Sequence, residues 1–278
     1  LPKSLRSIAI KLLYKKDNEH DKKYKKNYRP ISLLNVDYKI LSAVLNNRIK
    51  DILYKVIDTS QVAFIKNRYI GSATSLIQLI IHWMQKCQTS SQAALLFLDF
   101  AKAYDSVNHK FIKKIMTALD MGDEFIKWAF LGLSSSNAKL IINGKLTRSF
   151  ELGGGGRQGD VLFPSIFVLV VMCLSIMVQG DNQLRGITIA DQCFKVMQYA
   201  DDNCEAITTF HEYKCLIDTI NKFCCASGME INWDKTIGMF LGKWSDNRPQ
   251  EIIQYNTDVH WAEDEELIRY LGIWINSK

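Results

Sequence analysis

The chain reads as an α+β fold, an antiparallel sheet with helices on one face. Three observations carry this expectation. Short runs of alternating polarity recur between stretches of helical spacing. Asn143-Gly144 lies between two such runs, where a type I′ hairpin turn belongs. Strands and helices alternate irregularly, without the regular strand–helix repeat of a parallel sheet. An apolar fraction of 47% with 11% aromatic residues fits a packed core, and 4 prolines and 15 glycines exclude a linker-rich or collagen-like chain.

Taken in order, Ile8-Ala-Ile-Lys-Leu-Leu-Tyr14 reads as a strand, followed by a lysine-rich surface loop over residues 15–26. Between residues 37 and 57, Ile40, Leu41, Val44, Leu45, Ile49, Ile52 and Leu53 recur at helical spacing, with Asn35 or Asp37 as the cap. A second helix covers 72–87. The apolar run from Ala93 to Leu98 reads as a buried strand that ends in a lone acid, Asp99. Next comes a helix with Phe111, Ile112, Ile115, Met116 and Leu119 on one face, then the hairpin around Asn143-Gly144. Gly153–Gly156 and Arg157-Gln-Gly-Asp160 form a flexible loop, whose glycines either bring backbone close to a ligand or serve as a plain linker. Val161–Val178 holds no charge over 18 residues. A membrane span needs about 20 apolar residues, and Pro164, Ser165 and Ser175 favour a buried core helix. Phe210–Ala226 is an amphipathic helix closed by Gly228. Met229–Trp233 and Thr236–Leu241 read as short strands, and the chain closes with Arg269–Ile275.

Charge and cysteine usage narrow the setting. Residues 1–50 carry 13 Lys/Arg against 4 Asp/Glu, a balance of +9, which leaves −3 on the remainder. A basic first segment beside a nearly neutral body suggests a polyanion held on one side, although solvated lysines give the same count. Seven scattered cysteines without CxxC or zinc spacing read as free thiols in a reducing, intracellular compartment; nuclear and cytoplasmic residence are not distinguished. Leu1-Pro-Lys opens without a methionine or a secretory leader, as a fragment of a longer chain does.

The chemistry centres on Val196-Met-Gln-Tyr-Ala-Asp-Asp-Asn-Cys-Glu205. Asp201 and Asp202 repel each other at a tight turn, and such oxygen-only ligands favour magnesium or manganese. Joined by Asp99, they could hold two cations about 4 Å apart, as phosphoryl-transfer sites do. Nucleotidyl transfer, nuclease and phosphatase chemistry all fit that arrangement.

Tyr199-Ala-Asp-Asp202 resembles the catalytic box of reverse transcriptases, and other boxes follow the family's order. They are Tyr28-Arg-Pro-Ile-Ser-Leu-Leu-Asn35, Gln61-Val-Ala-Phe-Ile-Lys-Asn-Arg68, Leu98-Asp-Phe-Ala-Lys-Ala-Tyr-Asp105, Arg157-Gln-Gly-Asp160, Gly228–Lys235 and Tyr270-Leu-Gly-Ile273. Together they resemble the non-LTR (LINE-type) retrotransposon enzymes over nearly the whole chain. The resemblance implies a right-hand polymerase with fingers (1–92), a palm (93–278) that includes a finger-like insert near 134–160, and a thumb largely absent. It implies RNA-directed DNA polymerase activity on an RNA template and a DNA primer, with deoxynucleoside triphosphates, two Mg2+ ions or Mn2+ in their place, and no membrane.

Carried over by residue, Asp99, Asp201 and Asp202 bind the metals, with Asp202 the less essential. Tyr104 is a steric gate against the ribose 2′-hydroxyl, or simply packs in the core. Gln158 and Phe100 touch the incoming nucleotide, Arg68 its triphosphate, and Lys235 protonates the departing pyrophosphate. Arg68 as a solvated loop arginine and Lys235 as an exposed turn lysine are the plain alternatives. The family's larger polyprotein adds an endonuclease ahead and a thumb behind, so this chain alone is expected to be weakly processive. Val161-Leu-Phe-Pro164 replaces the usual Pro-Leu-Ser-Pro. The rival readings are a decayed remnant that only binds nucleic acid and an RNA-dependent RNA polymerase, which Tyr104 argues against.

Overall fold

Ser7–Tyr14 is the first strand, β1, because Ile8 and Ile10 turn inward while Ser7 and Lys11 face solvent. The structure, a computed structural model, describes residues 7–14, 24, 27–86, 91–133 and 137–277. The lysine-rich loop expected over 15–26 lies outside these apart from Tyr24, as does Cys87 at the expected end of the second helix. After β1 come β2 (Tyr28–Leu33), α1 (Val36–Val56), α2 (Ile70–Lys86), β3 (Gln92–Leu98), α3 (Ala103–Ser106), α4 (His109–Ala118) and α5 (Asp123–Leu133). Then follow β4 (Asn137–Ile142), β5 (Lys145–Leu146), β6 (Phe150–Glu151), α6 (Phe163–Gly180), β7 (Ile187–Ile189), β8 (Gln192–Phe194), β9 (Val196–Tyr199) and β10 (Asp202–Ile207). The last third holds α7 (Phe210–Ser227), β11 (Ile237–Gly242), α8 (Lys243–Asp246), α9 (Gln250–Tyr255), β12 (His260–Trp261), β13 (Ile268–Tyr270) and β14 (Ile273–Ile275).

Local chemistry sets many of these boundaries. The Asn35 side chain accepts the Asp37 amide at 2.9 Å, so Asn35 rather than Asp37 caps α1. Asn143 and Gly144 have φ of 50° and 76°, the two left-handed residues a type I′ turn requires between β4 and β5. Thr209 caps α7 by accepting the Glu212 amide, and Gly228, at φ 76°, ends it by donating to the Cys224 carbonyl.

The chain divides into two units that do not follow the expected segments 1–92 and 93–278. The first takes Leu1–Ile52 and Tyr104–Phe167, the second Leu53–Ala103 and Val168–Lys278. In the first unit the sheet order is β2-β1-β4-β5, with β6 also on β4. β1 pairs parallel with β4, Ile8 beside Ala138, over a small core of Ile8, Ile10, Leu34, Tyr38 and Ala138. The glycine run serves the chain's own packing here. A Cβ on Gly155 would stand 2.4 Å from the Asp105 carbonyl oxygen, and one on Gly156 would stand 2.0 Å from the Phe163 ring. Both amides are used, Gly155 donating to Val107 and Gly156 to Tyr104.

In the second unit the sheet order is β12-β11-β3-β10-β9, antiparallel except for the β11–β12 pair. Alternation gives it two apolar faces. Leu95, Phe97, Cys204, Ala206, Met239 and Leu241 join Ile77, Ile80, Ile81 and Met84 of α2 in one core. Between Met239 and Leu241, Phe240 points the other way and stacks on Trp261 at 4.2 Å, with Tyr213 of α7 edge-on to that indole. Helices therefore cover both faces of the sheet rather than one, because each strand's alternate residues are apolar too. α6 is the one described helix long and apolar enough to cross a membrane, and 67% of it is buried within the fold.

One expectation changes toward the end of the chain. Met229–Trp233 does not form a strand: only Ile231 bridges to Phe100, and Trp233–Lys235 winds into a 3-10 turn. The Asn232 amide donates to the Asp99 carbonyl and the Ala101 amide to the Glu230 carbonyl, each at 2.8 Å, the two bonds of that single bridge, and the 3-10 turn then carries the chain out of the pairing. Arg269–Ile275 is a hairpin folded at Leu271-Gly272, both at positive φ.

Candidate active site

The pairing of β3 with β10 brings the acids together. Leu98 lies opposite Asn203 in this antiparallel register, so the next step along each strand sets Asp99 across from Asp202. Asp201 sits in the turn between Tyr199 and Asp202, the last pair of the β9–β10 ladder. Ala200, the first residue of that turn, has φ 55°, a left-handed conformation that L residues seldom adopt. Asp99 is held by the segment after α7: its carbonyl accepts the Asn232 amide, and its own amide donates to the Thr236 hydroxyl at 3.5 Å.

Lys235, on the 3-10 turn, reaches the Asp99 carboxylate at 3.4 Å. Both side chains are open to solvent, the lysine at 67% and the aspartate at 36%, so the pair is exchangeable rather than locked. Surrounding protein, then the charges of Asp201 and Asp99, push the Asp202 carboxyl up to about 6, although the residue keeps an exposed edge. That coupling places three carboxylates in one electrostatic neighbourhood, and an all-oxygen donor set suits a hard divalent cation. Among the described residues, no three His, Cys, Asp or Glu side chains are gathered tightly enough to hold a metal ion. The donor chemistry therefore fits a cation, while Asp99 is turned to Lys235.

The remaining expected residues fall in different places. Arg68, in the second unit, donates to the carbonyls of Ile57, Asp58 and Gln61, at 2.8 Å to Ile57 and 2.6 Å to Gln61. Its guanidinium thus clamps the loop after α1, and a triphosphate contact would require it to let go. The Phe100 ring is 5% exposed and packs edge-on against Phe223, so the expected nucleotide contact cannot come from this side chain. In the first unit, the Tyr104 ring stacks on Phe167 at 4.5 Å and meets Phe163 edge-on at 5.4 Å, a rigid backing for a gate or an ordinary core contact. Gln158 presents its carbonyl to the Ser32 amide at 2.9 Å, which fixes the loop on β2.

Two buried residues in the quoted boxes went unassigned. The Asp160 carboxylate accepts from the Tyr38 hydroxyl and the Ser42 hydroxyl, each at 2.5 Å, and from the Leu162 amide at 2.9 Å. Arg157 lies over the Tyr38 ring at 4.9 Å, and burial pushes its pKa down while that of Tyr38 is pushed up. Asp160 is thereby the anchor of the Gln158 loop. Gln61 is fully buried, and its side-chain oxygen accepts the Ala200 amide. A polar residue heading the apolar stretch Val62–Ile65 was the only sequence signal for it.

Comparison with known proteins bears on the whole arrangement. Residues 14–275 match the family described as reverse transcriptase (RNA-dependent DNA polymerase). The chain is 28% identical over its full length to the transposon TX1 uncharacterized 149 kDa protein of Xenopus laevis, covering 20% of that protein. It is 24% identical over 38% of its length to the retrovirus-related Pol polyprotein from type-1 retrotransposable element R2 of Popillia japonica, covering 17% of it. The chain thus spans about a fifth of these relatives. Among solved structures, apo telomerase from Candida tropicalis, truncated from the C-terminal domain, superposes with a TM-score of 0.63 at 13% identity, over 98% of this chain and 54% of that one. Telomerase from Candida albicans bound to a fragment of telomeric RNA gives 0.60 at 11% identity, over 86% and 43%.

Proposed function

Because the chain belongs to the reverse transcriptase family, whose members use divalent metal ions, we propose that it is the RNA-directed DNA polymerase domain of a non-LTR retrotransposon polyprotein. It would extend the 3′-hydroxyl of a DNA primer on an RNA template. The observation that carries this reading is the β3–β10 register, which sets Asp99 across from Asp202 and beside Asp201 in a chain matched to that family almost throughout. The second unit then plays the palm and the first the fingers.

In this reading Asp99, Asp201 and Asp202 hold two magnesium ions, or manganese in their place. Such ions supply activation of the primer hydroxyl and charge neutralisation at the leaving pyrophosphate. Asp99 would be one of the residues to hold a cation, and Lys235, now in contact with it, would donate a proton from its ammonium to the departing group. Tyr104, stiffened by Phe167 and Phe163, turns away ribonucleotides, and Gln158 lines the nucleotide on a loop anchored by Asp160. Arg68 acts through the loop it clamps. The basic residues of the first segment attract template and primer. Endonuclease and thumb domains belong to the longer polyprotein.

The test is incorporation of a labelled deoxynucleotide on an RNA template annealed to a DNA primer, with magnesium or manganese, by this chain and by Asp201→Asn. Incorporation that falls at least about a hundredfold in the variant supports the reading. Equal incorporation by both removes Asp201 from the site. Duplex binding without incorporation, persisting when the downstream region is restored, identifies a remnant that only binds nucleic acid.

A further inference from the structure

We propose that Gln61 is a positioning residue for the catalytic turn, its side-chain oxygen holding Ala200 in the left-handed conformation that presents Asp201 and Asp202. The proposal rests on reading those two aspartates as the catalytic acids.

The turn needs such a partner. In a two-residue hairpin connection the amide of the first turn residue lies outside the ladder, and Ala200 is 5% exposed, so water does not readily satisfy it. The Gln61 Oε1 atom accepts it at 3.1 Å across 139 residues, and accepts the Ala63 amide at 2.9 Å as well. The side chain is 0% exposed, so this acceptor has no competing solvent. Ala200 at φ 55° has no glycine's freedom, and a conformation of this kind persists where its surroundings over-determine it.

The holder is itself fixed. Residues 60–62 run beside β9 as a short extra rung: the Val62 amide donates to Gln198 at 3.0 Å, and the Gln198 amide donates to Ser60 at 2.8 Å. Gln61 and Gln198 form a parallel bridge, which sets the Gln61 side chain to reach two residues further along β9 to Ala200. Arg68 clamps the Gln61 carbonyl, and the Ser60 hydroxyl meets the Ser175 hydroxyl at 2.8 Å. The loop after α1 therefore carries a rigid arm to the turn, and every group in this chain of contacts lies in the second unit.

Two measurements test this. In the unaltered chain labelled with 15N-alanine, the Ala200 amide is assigned by its loss in Ala200→Gly and its hydrogen exchange followed. Protection of at least about a hundredfold is expected, and exchange as fast as an unprotected turn amide overturns the proposal, whether or not the chain polymerises. Gln61→Met keeps the volume and removes the acceptor. It is expected to lower kcat for deoxynucleotide incorporation about tenfold or more, because small misplacement of catalytic groups is costly. KM for the nucleotide and affinity for the template-primer should stay within about twofold. Ser60→Ala, which removes only one of the contacts that fix the arm and leaves the acceptor on Ala200 in place, should lower kcat less than Gln61→Met does. A folded Gln61→Met with unchanged kcat, or a Ser60→Ala that loses as much, overturns it. If Gln61→Met does not fold, or the unaltered chain shows no incorporation, the exchange measurement decides alone.

Discussion

Glu205 sits in the middle of β10 with none of its surface exposed, between Val196 and Leu96 on the neighbouring strands. Neither carboxylate oxygen has a hydrogen-bond partner among the described residues. Burial therefore pushes its pKa well above the usual carboxylate range. The sign of the consequence follows from linkage. A carboxyl raised in the folded state binds its proton more tightly there than in the unfolded chain, so its contribution to stability is full below the unfolded pKa. That contribution is lost as pH rises toward the folded value. Each pH unit in that interval is a factor of ten in the folding equilibrium, about 1.4 kcal/mol, for as long as the pH lies below the folded value. Against a total stability of roughly 5–15 kcal/mol each such unit is measurable. Glu205→Gln keeps the shape and removes the titration, at a pH-independent cost for its own buried amide. Urea unfolding of both chains at a series of pH values isolates the effect, since the other titrating groups cancel in the difference. The variant should gain on the unaltered chain steadily as pH rises. A difference that stays constant across that range refutes the reasoning.

Two further outcomes follow from the first unit. Asp160→Ala strips the acceptor from the Tyr38 and Ser42 hydroxyls and leaves the Leu162 amide only the Ser42 hydroxyl oxygen, and should destabilise the chain by about 2 kcal/mol or more in urea unfolding, with Asp160→Asn less severe because one oxygen remains. Loss of under about 1 kcal/mol in the alanine variant would show that these groups find other partners. Tyr104→Ala should admit ribonucleotides at least about tenfold better relative to deoxynucleotides, read from single-nucleotide incorporation. Unchanged sugar selection would make Tyr104, stacked on Phe167, a core residue only.

What could be read without coordinates was whatever neighbouring residues decide among themselves. The α1 helix, the two positive-φ residues of the Asn143-Gly144 turn and the Gly228 cap are settled within one or two helical turns, and each lies where the pattern placed it, although Ile40, Val44 and Ile52 of the α1 apolar set are exposed. The ordered boxes, including the adjacent aspartates, carried the family before any geometry. Tertiary structure decided the rest, because the partners are far apart in sequence and no local signal names them. Long-range pairing joined β1 in parallel to β4, put Asp99 across from Asp202, and covered both faces of the second sheet. It also gave Gly155 and Gly156 their reason, close approach to Asp105 and Phe163, where the glycine run alone had suggested a ligand or a linker. Arg68 shows the same limit: its charge suggested a phosphate, but three carbonyls at the end of α1 claim its donors. A side chain's chemistry is written in the sequence, whereas its partner is chosen by the strand register and chain crossings that bring distant segments within a hydrogen bond's length.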